Sequence, residues 1–336
     1  MKIPVTVLGA TGVVGQRLIR RLATHPHFEI AHLAASERSA GRRFGDLPWR
    51  LPGARPVALE GVKLVEASPD CAFAPLVFSA LEASVARDLE PAFARAGSIV
   101  CSNASAFRME ADVPLLVPEI NAEALHLLAA QRKLRGWKGA ILCNPNCTTT
   151  ILALALAPLH AAFGVESVFM TSLQAASGAG HPGVPSLDLL GNVVPHIPGE
   201  EAKVEEELPK ILQAAIPISA LCHRVPVIEG HTEAISVRLK GAPSLDAVAR
   251  AIRDWRPGLG LPSAPDRPLL LHTEEDRPQP RLDAESDGGM AVHLGRLRPC
   301  PLFGLKFTAL GSNTERGAAG GALLNAELAV AGGLLP

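Results

Sequence analysis

Three things are scarce in this chain, and each scarcity removes a class of function. None of the six cysteines (Cys71, Cys101, Cys143, Cys147, Cys222, Cys300) forms a C-x-x-C pair. That speaks against a disulfide framework and against a structural zinc; no metal is expected, and a reducing cytoplasm is the expected setting. No aliphatic run approaches the ~18 residues of a membrane span. The apolar N-terminal stretch is interrupted by Gly9, Gly12 and Gly15 and leads to no small-residue cleavage site, so it does not read as a signal peptide. Neither sign of charge is in excess: the formal net charge is −1, which argues against nucleic acid or an anionic membrane as the main partner. Internal repeats are also absent. What is present is a chain of 336 residues, 48% hydrophobic, long and apolar enough for two cores and therefore two domains.

The first half alternates strand and helix. "IPVTVLGATGVVGQRLIRRLA" reads as a β-branched strand, a glycine turn and a helix with apolar residues at helical spacing. "FEIAHLAAS", "LVFSAL" (76–81), "SIVCSN" (98–103) and "GAILCN" (139–144) read as further strands, with a helix over 83–97. Nearly all-apolar strands separated by helices predict a parallel sheet covered on both faces. The proline- and arginine-rich 42–56 reads as a surface loop or crossover. Beyond residue 146 the pattern changes. "VESVFMTSLQAAS" and "RVPVIEGHTEAISVRLK" alternate as longer strands, the second folded as a hairpin at Glu229-Gly230, and "GEEAKVEEELPKIL" (199–212) is an amphipathic helix. Residues 274–289 read as a polar loop, and a small-residue-rich helix closes the chain. The expected fold is a Rossmann-type α/β dinucleotide-binding domain over 1–146, completed by a helix over 314–336. An α+β domain with a mixed or antiparallel sheet is expected over 147–313.

"GATGVVG" is G-x-x-G-x-x-G, a spaced variant of the dinucleotide fingerprint. It directly follows a strand and opens a helix, the context in which glycine lets the backbone approach a pyrophosphate. After the second strand, Ser36, Arg38 and Ser39 offer a cation and hydroxyls for a 2′-phosphate. Glu37 could instead serve a 2′-hydroxyl, but Ser36, Arg38 and Ser39 tip the balance to NADP over NAD.

In "LCNPNCTTTIL" Cys147 stands at the entrance to a hydrophobic helix rather than inside it. Free N–H groups and the dipole there favour thiolate, and with Asn146 they could hold an oxyanion. The other five cysteines read as packing residues. His231 shares strand parity with Ile235, Val237 and Leu239, so it points to the buried face as either a core histidine or a shielded general base. His181 and His223 are weaker rivals. Glu200 and Lys203 share a helical face, and taken alone read as a solvated ion pair. Asn103 and Arg108 follow a strand at the crevice where ligands bind such sheets, with Arg108 as an anion holder.

"GATGVVGQR", "ASERSAGRRF", "SNASAFRMEADVPLLVPEIN", "NPNCTTT", "QAASGAGHPGV", "GEEAKVEEELPKIL", "CHRVPVIEGHT" and "NTERGAAGG" together resemble aspartate-β-semialdehyde dehydrogenases of the archaeal and fungal branch. The resemblance implies attack of Cys147 on L-aspartyl 4-phosphate, loss of phosphate, and reduction of the thioester by NADPH. It makes Cys147 the nucleophile, His231 the acid–base and Gln174 an orienting residue. Arg108, Lys203 and Asn146 would hold phosphate; Arg224 and Glu200 would hold the substrate carboxylate and amine. Gly9, Thr11, Gly12, Val13, Val14, Ser36, Arg38, Ser39, Ser177 and Gly178 would face the cofactor, with Asn313 near the nicotinamide. The second domain would carry a homodimer or homotetramer interface. "GHPG", "CHRVPV" and "SNTERG" depart from the usual pattern without removing a reacting group. The same scaffold would also suit N-acetylglutamyl-phosphate reductase or malonyl-CoA reductase, and a non-catalytic NADP-binding protein could keep it. A cysteine hydrolase would have no use for the glycine turn.

Overall fold

The computed structural model describes residues 2–335. Strands β1 Ile3–Leu8, β2 Phe28–Ala35, β3 Val65–Glu66, β4 Leu76–Ser79, β5 Ile99–Ser102 and β6 Ala140–Cys143 form one sheet. Its order is β3-β2-β1-β4-β5-β6 and every pairing is parallel, the doubly wound arrangement of the Rossmann fold. β4, β5 and β6 are buried at every residue, which is why they read as unbroken apolar runs. Helices α1 Val13–Leu22, α2 Ala83–Ala96 and α3 Leu127–Arg135 cover this sheet. The strand order reverses between β1 and β4, and there the glycine turn meets the end of β4. A Cβ on Gly9 (φ +78°) would lie 2.6 Å from the Ala80 carbonyl oxygen, and one on Gly15 2.1 Å from the Gly9 oxygen.

A second six-stranded sheet contains β7 Val165–Gln174, β8 Ile218–Arg224, β9 His231–Leu239, β10 Leu269–Leu271, β11 Val292–Cys300 and β12 Gly304–Gly311. The order is β10-β11-β12-β9-β7-β8. β7–β8 and β10–β11 pair parallel, the rest antiparallel, so the sheet is mixed. The expected hairpin around Glu229-Gly230 does not form. β7 lies between β8 and β9, and residues 225–230 cross over its end, where Val225 and Ala176 N–H groups donate to Gln174 and Val227 carbonyls. The strand alternation was readable; the partner was not, because a crossover and a hairpin look alike over six residues.

Helix α4 Cys147–Phe163 lies between the two sheets. Residues 148 to 159 are all buried, and Ile151 and Leu154 share one core with Val77 and Ile141 of the first sheet and Val237 and Phe307 of the second. A helix apolar all round needs such a place. Helices α5 Glu200–Leu212 and α6 Leu245–Asp254 pack beside it. A π-helical turn, Glu315–Ala319, leads into α7 Gly320–Ala331, which packs back on the first sheet. Among the described residues no helix is long and apolar enough to cross a membrane. The stretch 42–56 is mostly loop, as expected, but Phe44, Leu47 and Leu51 anchor it in the interior.

Candidate active site

The register of the second sheet brings Arg224 opposite Gln174 and Gly311 opposite His231, at the strand ends that face the start of α4. Asn146 caps α4: its side-chain oxygen accepts from the Thr148 and Thr149 N–H groups at 2.9 and 3.1 Å. That cap fixes Cys147 as the first helical residue, its sulfur 3.4 Å from His231 Nε2. His231 is fully buried, and its Nδ1 accepts the Ala175 N–H at 3.1 Å. The neutral ring therefore carries its proton on Nε2 and presents it to sulfur.

The electrostatics of the pair work against ionisation. Burial, reinforced by the Glu200 carboxylate, pushes the Cys147 thiol up to about 12, outweighing Arg108 and the helix-start N–H of Thr148. Burial, with Arg224 beside it, holds His231 down to about 3. Both shifts favour the neutral forms, a thiol beside an imidazole. A helix N-terminus favours thiolate only to the extent that dehydration of the sulfur does not exceed it.

Around this pair lies a cleft of about 620 Å³ whose walls include Asn103, Arg108, Cys147, Gln174, Glu200 and Arg224. Glu200 is buried, not the solvated ion-pair member its spacing suggested. Its Oε1 accepts from Asn146 Nδ2, Gln174 Nε2 and Thr148 Oγ1 at 2.9, 3.1 and 3.2 Å. Its Oε2 faces Lys203 Nζ at 3.4 Å. These partners hold the carboxyl below its usual range against the opposing effect of burial. Arg224 donates to the Ala175 carbonyl at 2.7 Å. Gly178 leaves room for both groups: a Cβ there would lie 2.6 Å from Arg224 Nη1 and 2.9 Å from His231 Cε1. His181 stands apart on an exposed loop against Arg50, and His223 is half-buried on β8.

Two groups escaped the sequence reading. Glu207 is buried; its Oε1 accepts from Arg108 Nη1 at 2.9 Å and its Oε2 from the Asn146 N–H at 2.7 Å. It thus joins the Arg108 guanidinium to the residue that caps α4. The i, i+3, i+7 spacing of Glu200, Lys203 and Glu207 was the available signal. Gly317, in the π-turn, has space for no side chain: a Cβ would lie 2.5 Å from Cys147 Cβ.

The dinucleotide side is more open. Gly12 is exposed and caps α1 without a side-chain bond, and the first turn holds no acidic residue. The N–H groups of Val13 and Val14 are thereby left for an anion, beside partly exposed Thr11. Ser36 and Arg38 are exposed and Ser39 half-buried just beyond the end of β2. Asn313 ties together the segments after β7 and before β9, donating to Ser177 Oγ and accepting the Gly230 N–H, both at 2.9 Å.

Residues 4–128 match the family model for the semialdehyde dehydrogenase NAD binding domain, and residues 156–316 that for the semialdehyde dehydrogenase dimerisation domain. Aspartate-semialdehyde dehydrogenase from Archaeoglobus fulgidus is 48% identical over 340 residues, covering 98% of each chain. The enzyme of that name from Cryptococcus neoformans is 44% identical over 359 residues, with 99% of this chain and 98% of that one covered. The crystal structure of aspartate semialdehyde dehydrogenase with NADP from Candida albicans has a TM-score of 0.92 at 40% identity, covering 99% of this chain and 100% of that one.

Proposed function

Because this chain belongs to the aspartate-semialdehyde dehydrogenase family, we propose that it reduces L-aspartyl 4-phosphate to L-aspartate 4-semialdehyde with NADPH, through a thioester on Cys147. The observation that carries this reading is the 3.4 Å approach of Cys147 sulfur to His231 Nε2 inside a cleft walled by two guanidiniums and a buried carboxylate. A substrate with a phosphate, a carboxylate and an ammonium finds a counter-charge for each. Arg108, Lys203 and Asn146 hold the phosphate; Arg224 takes the carboxylate, and the cleft-facing Oε2 of Glu200 the ammonium.

Because the resting thiol is protonated, attack on the acyl carbon and loss of phosphate balance without a separate base. The C–S bond forms, the C–O bond breaks, and the thiol proton leaves on the phosphate as hydrogenphosphate. His231 donates Nε2–H toward sulfur throughout, while the Ala175 N–H keeps Nδ1 from becoming the protonated nitrogen. NADPH, when bound on the glycine turn, supplies the hydride that reduces the thioester carbon. The hydride adduct then collapses to the aldehyde as the C–S bond breaks, and the departing sulfur, held by the Nε2–H of His231, takes its proton from solvent while the imidazole stays neutral. Gln174, tied to Thr148 and Glu200, keeps the carboxylate turned toward the substrate.

Arg38, with Ser36 and Ser39, supports the NADP preference; the Candida albicans relative was solved with NADP. The dinucleotide unit is read as 1–146 plus the C-terminal helix, and the catalytic unit as 147–313. The dimerisation-domain match supports a homodimer or homotetramer, and the biosynthetic reaction a cytoplasmic setting. The test is NADP⁺ reduction with aspartate semialdehyde and phosphate, run beside N-acetylglutamate semialdehyde and malonate semialdehyde with CoA. A buried carboxylate left unpaired by the wrong substrate should give a preference of at least ~10³ in kcat/KM for the aspartyl substrate. Comparable rates on either rival would overturn the assignment.

A further inference from the structure

The segment 274–289, which the proposed reaction leaves unused, carries six carboxylates (Glu274, Glu275, Asp276, Asp283, Glu285, Asp287) against the two guanidiniums of Arg277 and Arg281. One of those carboxylates, Asp283, is buried and meets two histidines from flanking structure: His272, just after β10, and buried His293, on β11. His272 Nε2 and His293 Nδ1 are 3.0 Å apart, and each lies 3.9 Å from Asp283 Oδ1. We infer that His272, Asp283 and His293 form a binding site for a divalent transition-metal ion of the zinc type, distinct from the cleft that holds Cys147.

Three observations carry this. A triangle with sides of 3.0, 3.9 and 3.9 Å has a circumscribed radius of about 2.1 Å, so a single point lies at zinc–nitrogen and zinc–oxygen distance from all three atoms. Next, the surrounding bonds set the ligand atoms. Ser286 Oγ donates to the Asp283 carbonyl at 3.0 Å, so its oxygen accepts from His293 Nε2–H at 2.8 Å. That leaves a lone pair on His293 Nδ1, aimed into the triangle. The Arg277 Nε and Gln279 N–H groups bond Asp283 Oδ2 at 2.9 and 2.6 Å and Arg277 Nη2 also reaches Oδ1. This is the outer shell that orients a metal-binding carboxylate. Third, there is a way in: His272 forms part of the wall of a surface concavity of about 500 Å³ with Thr273, Glu274 and Arg296. Two nitrogens and one oxygen select zinc, cobalt or nickel over magnesium or calcium.

Without metal, His272 Nε2–H donates to His293 Nδ1. On binding, the metal replaces that proton, which returns through solvent to His272 Nδ1, 3.8 Å from the Glu274 carboxylate; no net proton is released. The ion would fasten the acidic segment to β10 and β11. The far end of the same segment reaches α1, where the Gly288 carbonyl accepts Arg21 Nη2 at 2.6 Å and Glu285 lies 3.5 Å from Arg17. The site would therefore brace the seam between the two sheets.

The experiment titrates the metal-stripped full chain with Zn(II), and with Co(II) as a spectroscopic probe. Expected are one zinc per chain, a melting temperature that climbs with zinc concentration, and visible cobalt d–d bands without a thiolate charge-transfer band. A metal captured by Cys147 and His231 would show that sulfur band. His272→Gln, which keeps a hydrogen bond to His293, should weaken zinc by more than the ~10–100-fold typical of losing an outer partner, and Ser286→Ala by about that amount. Each variant is compared with itself with and without zinc, so a lower starting stability does not mask the readout. Uptake only with the sulfur band, no uptake at all, or zinc-dependent stabilisation unchanged in His272→Gln would each overturn the inference.

Discussion

Gly317→Ala tests whether the π-turn sets the position of the nucleophile. A Cβ at residue 317 would stand 2.5 Å from Cys147 Cβ and 2.8 Å from its Cα. An ordinary carbon–carbon contact is ~3.5–4.0 Å, so one partner must move by about 1 Å. Neither has an easy retreat: Cys147 is pinned by the Asn146 cap, and the next residue of the turn, Ala318, is buried. Overpacking of this kind costs ~1–3 kcal/mol of stability, whereas a 1 Å misplacement of a reacting group costs ~10² in rate. The expected outcome is therefore a fall of about 10² in kcat for aspartate-semialdehyde oxidation, with a melting temperature lower by only a few degrees. NADPH affinity, measured by fluorescence titration, should stay within about two-fold, since the glycine turn is untouched. Full turnover in a destabilised variant would show that the contact is packing alone and that Cys147 takes its position from elsewhere.

Cys147→Ala should abolish turnover with NADPH affinity nearly intact, while Cys143→Ala, in the fully buried β6, should keep most activity; matching losses would move the nucleophile. His231→Asn should lower kcat by ~10²–10⁴. A rapid-quench phosphate burst with aspartyl phosphate should survive in that variant, because the thiol proton leaves on phosphate; loss of the burst would restore His231 as a base. Arg38→Ala should weaken NADPH by ~1–3 kcal/mol and leave NADH almost unchanged, whereas equal losses would place the 2′-phosphate elsewhere. Glu90, buried beside Ser102, is raised to about 7. The folded state therefore holds its proton where the unfolded chain has lost it, and stability declines as pH rises from ~4.3 toward 7. Glu90→Gln should remove that decline and leave the variant more stable than the parent above pH 7 by about 3 kcal/mol; superimposable melting profiles against pH would refute it.

The first sheet was legible because its strands obey a local rule. β4, β5 and β6 are buried on both faces and spell that out as apolar runs between helices. Cys147 was legible for a related reason: a polar triplet followed by an apolar run marks a helix start, and a cysteine there is out of place as packing. β11 was missed because Arg296, Arg298 and Pro299 break the alternation, and the register shifts between Gly295 and Arg298; β12 carried a readable alternation in Leu305, Phe307 and Ala309. Glu315 was visible only as a departure from a family pattern. Its carboxylate gathers Arg17, Arg20 and Arg21 of α1, partners almost three hundred residues away, and no local periodicity encodes such a contact. Gly317 against Cys147 is the same case: the sequence displays small residues, but only the fold reveals what they must avoid.

The resting protonation of the site bears on why so many charges surround it. Burial favours the neutral form of both members of the Cys147–His231 pair, although Arg108, Arg224, Lys203, Glu200 and Glu207 stand in or just behind the same walls. Glu207 answers Arg108 and Glu200 faces Lys203, which leaves Arg224 as the one of these cations without a carboxylate; the pull of Arg108 and Arg224 on the thiol is outweighed by burial and Glu200. In the proposed reaction a bound acyl phosphate brings net negative charge and occupies Arg108 and Arg224, the groups that draw the thiol down, so binding gives the sulfur no push toward thiolate. The thiol there keeps its proton until attack and passes it to the departing phosphate. A half-buried, protonated thiol is also a poor target for oxidants and alkylators, which react with the thiolate.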